Sequence, residues 1–152
     1  MKLGRILSVV TAMGLIVVAG IANAQGERSY IDGRSASDQN LPPFSGAVMV
    51  GDTLYLSGVL GLVDGKVPSD PAEEARVAMD AIKRGVEAAG MTMDDLLMVQ
   101  IYCSDVAHYG AFNGVYKTYF TKEYPARAFI GAGDLLFDAR FEILATAVKR
   151  SD

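Results

Sequence analysis

Two ionisable residues stand in stretches that otherwise read as core: Arg127 within Pro125-Ala126-Arg127-Ala128-Phe129, and Glu142 within Phe141-Glu142-Ile143-Leu144. A charge among apolar neighbours is costly unless it is paired or used. Arginine presents a planar fork of N–H donors that matches a carboxylate better than lysine does. Arg127 in such a setting suits the capture of a small ligand's carboxylate. Ala126, Ala128, Gly131, Ala132 and Gly133 leave room for such a ligand. Composition alone keeps a second reading of Arg127 open, an ion pair with Glu123, Asp134 or Glu142 that holds an interface together.

Other chemistries find less support. Cys103, the only cysteine, lies in the run LLMVQIYCSD, the setting of a small buried hydrophobe rather than a nucleophile. A single cysteine also leaves no internal disulfide, so stability must come from packing or from association with other chains. His108 is the only histidine and reads as a surface or cap residue. With no HExxH, CxxC or carboxylate cluster at ligand spacing, no metal is expected, and no glycine-rich phosphate loop of the GxGxxG or GxxxxGK[ST] type occurs.

Three segments divide the 152 residues. Lys2 and Arg5, the apolar run Ile6 to Ile21 and the small residues Ala22-Asn23-Ala24 read as a cleavable secretory signal cut after Ala24. The apolar run is slightly shorter than the roughly 17–25 residues of a membrane span. The expected location is therefore periplasmic or secreted, with no membrane association after cleavage. Residues 25–40, polar and without a sustained period, read as a mobile lead-in, and 41–152 as one domain. Loss of Lys2 and Arg5 leaves 12 basic against 18 acidic residues, a net charge of −6. That balance argues against nucleic acid as a partner.

The elements that must position Arg127 and Glu142 follow from pattern. SGAVMVGDTLYLSGVLG predicts a hairpin turning at Gly51-Asp52. Asp70-Pro71-Ala72-Glu73 opens a helix that Gly90 ends, with Ala75, Ala78, Met79, Ile82, Val86 and Ala89 as its buried stripe. Glu74, Arg76, Asp80, Lys83, Arg84 and Glu87 are expected to face water. Gly85 inside this helix implies close packing on a sheet. A strand follows over Leu96 to Ser104 with Leu97, Val99 and Ile101 on one face. Asp105 caps a second helix reaching Phe120, whose stripe is Phe112, Val115, Tyr116 and Tyr119, with Asn113 beside it. Strands over Ala126 to Ile130 and Arg140 to Val148 complete a β-β-α-β-α-β-β order, an α/β (α+β) two-layer sandwich with two helices on one face of a mostly antiparallel sheet. The last strand is apolar on both sides, so the face away from the helices calls for cover by other copies of the chain.

LPPFSGAVMVGDTLYLSG, the helix ending EAAGM, the run FNGVYKTYF, the PAR of 125–127 and the FEILATAV of 141–148 resemble the reactive-intermediate deaminases (Rid, YjgF-like) over residues 41 to 150. The resemblance implies a chorismate-mutase-like fold, a homotrimer with sites in clefts between subunits, and hydrolysis of 2-imino acids or their enamine tautomers to 2-oxo acids and ammonia, without metal or organic cofactor. It implies Arg127 as the carboxylate anchor and Glu142 as the residue that orients the attacking water. Ser57 falls on the serine of the family's SG motif, and Asn113 on its asparagine before V/T-Y. Three departures stand out: Phe44 where a tyrosine is frequent, Phe129 in place of a smaller residue, and Leu135-Leu136 for Leu-Pro. Phe44 removes a hydroxyl from the substrate site, and Phe129 is expected to narrow or reshape the pocket. The same fold also suits a member that binds a 2-oxo acid without turnover or acts as a holdase.

Overall fold

The fold grows from alternation in its last strand, where every second side chain is buried. In the computed structural model, which describes residues 26–33, 35, 37 and 40–150, that strand lies inside a six-stranded sheet. The elements are β1 (Arg28–Ile31), β2 (Ala47–Val50), β3 (Thr53–Leu60), α1 (Pro71–Ala88), β4 (Leu96–Cys103), α2 (Tyr109–Tyr116), β5 (Ala126–Gly131) and β6 (Phe141–Val148), with short 3₁₀ turns between several of them. Their order across the sheet is β1-β2-β3-β6-β4-β5, antiparallel throughout except for the parallel β4–β5 pair that α2 connects. The expected secretory signal, residues 1–24, lies outside the described residues.

Asp70 caps α1 by accepting from the Ala72 amide at 3.0 Å, and Gly90, at a φ of 71°, lets the chain leave it. Ala75, Ala78, Met79, Ile82 and Val86 pack onto the sheet against Leu54, Val99, Ile101, Phe141 and Ile143. A Cβ on Gly85 would lie 2.5 Å from Leu56 Cδ2, so its absence lets α1 seat closely on β3.

Four expectations change. Residues 28–31 of the lead-in pair with β2 as an edge strand, because Tyr30 and Ile31 continue an extended pattern that short polar flanks hide. Leu97 is exposed rather than sharing a face with Val99 and Ile101, since a register shift between Leu96 and Met98 turns it outward. The second helix is shorter than its stripe suggests, with 3₁₀ turns at 106–108 and 117–119 flanking eight α-helical residues. Glu74 is fully buried rather than facing water.

Candidate active site

Arg127 and Glu142 belong to two separate crevices. Val99 pairs with Arg127 and Ile101 with Phe129, so both β5 side chains share the helix-covered side of the sheet with the core of β4. Glu142 pairs with Tyr102 and with Leu60, residues of the opposite, open side. Within one protomer the two charges therefore project from opposite faces.

The Arg127 crevice has a volume of about 340 Å³ and is lined by Asn113, Tyr116, Lys117, Tyr124, Pro125 and Arg127. Arg127 Nη1 donates to Asn113 Oδ1 at 2.6 Å and Nη2 to the Tyr109 hydroxyl at 3.2 Å. The guanidinium carbon lies 4.7 Å from the centre of the Tyr116 ring and 5.6 Å from that of Tyr109, cation–π contacts that fix the plane of the fork. No carboxylate of the protomer pairs with it among the described residues, so an ion pair to Glu123, Asp134 or Glu142 within the chain does not form. The hydrogen bond with Asn113, together with the Arg127 charge, holds the Tyr109 phenol below its usual range. Burial pushes Tyr116 the other way, to about 12, and its hydroxyl is a buried group without a partner. The result is a cation held in place by neutral groups, with N–H donors left over: the electrostatic setting of an anion site.

Phe129 does not narrow this crevice. Its ring packs edge-on to Tyr109 at 5.0 Å and to Phe112 at 5.6 Å, which buttresses Tyr109 from the core side.

The Glu142 crevice, about 510 Å³, is lined by Pro42, Phe44, Ser57, Gly58, Leu60, Leu136, Phe137 and Glu142. Two bonds tie the Phe44 loop to β3: the Ser57 amide donates to Gly46 O at 3.0 Å and the Ser57 hydroxyl to Ser45 O at 2.7 Å. The Ser57 hydroxyl proton is thereby committed, and its oxygen keeps acceptor capacity at the crevice wall. A Cβ on Gly58 would overlap Glu142 Oε1 and come within 3.0 Å of its Cδ, so only glycine leaves the carboxylate this position. On the far rim Phe137 and Asp138 both have left-handed backbone, with φ of 62° and 59°. Such torsions in non-glycine residues cost on the order of 1–3 kcal/mol and concentrate at functional sites.

A buried ion pair sets the start of β6. Glu74 accepts from Arg140 Nη1 at 2.7 Å, from the Arg140 amide at 2.6 Å and from the Phe141 amide at 3.1 Å. Arg140 also donates to Pro68 O and Ser69 O. Through the two amide bonds, Glu74 fixes the backbone immediately before Glu142. The sequence reading missed Tyr109, Gly58, Glu74 and Arg140 as parts of the site. Of these Glu74 carried a signal, since it stands four residues before Ala78 and eight before Ile82, on the helix's buried stripe.

The chain is thus a two-layer sandwich with an arginine crevice on one face and a carboxylate crevice on the other, and comparison with known proteins narrows its class. The family profile described as Endoribonuclease L-PSP matches residues 34–149. The 2-iminobutanoate/2-iminopropanoate deaminase of Dermatophagoides farinae is 36% identical over 113 residues, covering 72% of this chain and 88% of the relative. The crystal structure of the Escherichia coli YjgF gene product superposes with a TM-score of 0.69 at 31% identity, covering 72% of this chain and 91% of the other. Escherichia coli TdcF with bound serine gives a TM-score of 0.69 at 28% identity, with coverage of 72% and 91%. The chain belongs to the Rid/YjgF family, and its fold is that of the family.

Proposed function

We propose that the protein is a 2-imino acid deaminase whose site is completed by two protomers of a homotrimer. The observation that carries this reading is the Arg127 guanidinium, held by Asn113, Tyr109 and Tyr116 without a carboxylate partner in its own chain. The deaminase named above and the serine-bound relative support a small carboxylate ligand for such a fork. Because Arg127 and Glu142 face opposite sides of one sheet, they reach the same small molecule only across a contact between copies. The open face supports that contact, since Met98, Leu144 and Thr146 of its central strands line a shallow crevice with Tyr55. The net negative charge favours a small metabolite over nucleic acid. Residues 1–24 favour export to the periplasm or beyond.

The chemistry needs no covalent intermediate with the protein. Arg127 anchors the carboxylate of R–C(=NH)–COO⁻, and Glu142 orients a water and takes one of its protons as the oxygen adds to the C=N carbon. The proton passes to nitrogen, and the tetrahedral adduct collapses to R–CO–COO⁻ and ammonia. Ser57, whose oxygen keeps acceptor capacity at the crevice wall, takes the imine N–H. Imines already hydrolyse in water, so positioning and modest polarisation suffice.

The test generates 2-iminopropanoate in situ with an amino-acid oxidase and follows oxo-acid release above the spontaneous rate. Wild type accelerates it and Arg127→Ala does not, while light scattering shows the same oligomer for both. Equal rates with and without protein would discard turnover. Phe44, which lacks the hydroxyl of a tyrosine, favours a second reading, binding of a 2-oxo acid without turnover, and a measured pyruvate affinity alongside an absent rate would select it.

A further inference from the structure

Resting on the deaminase reading, we infer that the Glu142 crevice is a side-chain pocket that selects 2-imino acids with bulky apolar side chains, with Phe44, Leu136 and Phe137 as its specificity-determining walls. The size is the first argument. In a single protomer the crevice spans about 510 Å³, far more than 2-iminopropanoate with its about six non-hydrogen atoms, and this space is shared between the arginine side of the second protomer and the substituent of the substrate.

The lining is the second. Pro42, Phe44, Leu60, Leu136 and Phe137 are apolar, and the chemically active polar groups, Ser57 and Glu142, stand beside them in the same crevice. A substrate whose reacting carbon is within reach of Glu142 must direct its side chain somewhere. Its carboxylate is committed to an arginine, which leaves this apolar wall for the remaining substituent. Water left around a methyl side chain would lie against hydrocarbon, and a branched or aromatic side chain displaces it.

The third argument is where the strain sits. The left-handed residues Phe137 and Asp138 follow Leu136, and this turn leaves Leu136 and Phe137 lining the crevice while 72% and 66% exposed in the protomer. Phe44 faces the same space from the other rim, also more than half exposed. Apolar groups held out by an unfavourable backbone beside a catalytic carboxylate are placed to meet a ligand.

The experiment uses the purified oligomer with imines made from alanine, leucine and phenylalanine. The expected kcat/KM for 2-imino-4-methylpentanoate and 2-imino-3-phenylpropanoate exceeds that for 2-iminopropanoate by about tenfold or more, the discrimination available to an apolar pocket. Phe137→Ala is expected to compress that ratio severalfold. Calorimetric titration with pyruvate, 4-methyl-2-oxopentanoate and phenylpyruvate reads the pocket without turnover, and the bulkier acids are expected to bind more tightly. Equal kcat/KM and equal affinities across the three side chains would overturn the pocket while leaving imine hydrolysis intact. Absent turnover with the same order of affinities would overturn the deaminase reading and keep the pocket. If Phe137→Ala dissociates the oligomer and leaves the ratio untouched, the rim is a subunit contact and the inference fails.

Discussion

The two crevices are built by opposite means. Around Arg127, neutral aromatic rings and one amide grip a cation from several directions, and the whole arrangement lies on the side of the sheet that the helices cover. Around Glu142, a carboxylate stands on the open side against apolar walls, steadied indirectly by a glycine beneath it and by the Arg140–Glu74 ion pair two residues upstream. The first design holds a charge for a partner that arrives from outside. The second sets a carboxylate into an otherwise largely apolar wall. Neither is sufficient alone, which is why the proposed chemistry depends on association between chains.

The strongest way to break that comparison is complementation. Arg127→Ala and Glu142→Gln homo-oligomers are each expected to lose about 10²–10⁴-fold in kcat/KM. Unfolding both together and refolding them mixed should restore about a quarter of the sites, those that join an intact arginine from one chain to an intact glutamate from another. No recovery in verified mixed oligomers would show that the two halves do not share a substrate.

Glu74→Ala tests the support under Glu142. Removing Glu74 leaves the Arg140 and Phe141 amides without their acceptor and the partly exposed Arg140 guanidinium without its counter-charge, at a cost of about 3 kcal/mol read as a lower urea midpoint. The Arg127 crevice lies elsewhere, so pyruvate affinity in the folded fraction should fall less than turnover does. Equal loss in both would erase the distinction between the two regions.

Gly58→Ala sharpens it further, because the new methyl group meets Glu142 and no element of the Arg127 crevice. An expected loss of about 10²-fold in kcat, with KM changed much less, follows from a displacement of about 1 Å at the reacting centre. Unchanged kcat would mean that the carboxylate is not used where it stands.

The smallest effect concerns Tyr116. Its pKa rises from 10.0 to about 12 on folding because burial disfavours the phenolate. Between those values the folded chain keeps a proton that the unfolded chain releases, so stability falls as pH rises from 10 towards 12; below 10 both states keep it and the contribution is complete. The loss is on the order of 2–3 kcal/mol. Tyr116→Phe should flatten this decline in urea midpoints measured at pH 9 and 11, whereas the same slope as wild type would show that another group carries it. Tyr119, whose hydroxyl donates to Asp80, is also shifted upward by burial and contributes a background common to both chains.

What the sequence disclosed, it disclosed through period and punctuation. Asp70-Pro71 and Gly90 marked α1, and strict alternation marked the two faces of β6 and put Glu142 on the outer one. Alternation says which side a residue takes within its own strand, but it does not relate two strands. The opposition of Arg127 and Glu142 emerges only from the registers β5–β4 and β4–β6. Leu97 was lost to a bulge that no local composition signals. Glu74 was misplaced because its charge outweighed its position on the helical stripe, and only Arg140, 66 residues away, makes its burial affordable. Phe129, conspicuous for its bulk, turned out to back Tyr109 rather than face the crevice.

Tyr109, Asn113, Tyr116, Pro125 and Arg127 come from one short run of chain, with the two hydrogen bonds of the fork spanning only 14 and 18 positions. The residues around Glu142 are instead gathered from opposite ends of the domain. The Arg127 crevice is thus a local unit that closes few long loops, and the Glu142 crevice waits on the last strand inserting between β3 and β4. Ligand capture and turnover should accordingly part company during refolding, with affinity returning ahead of rate.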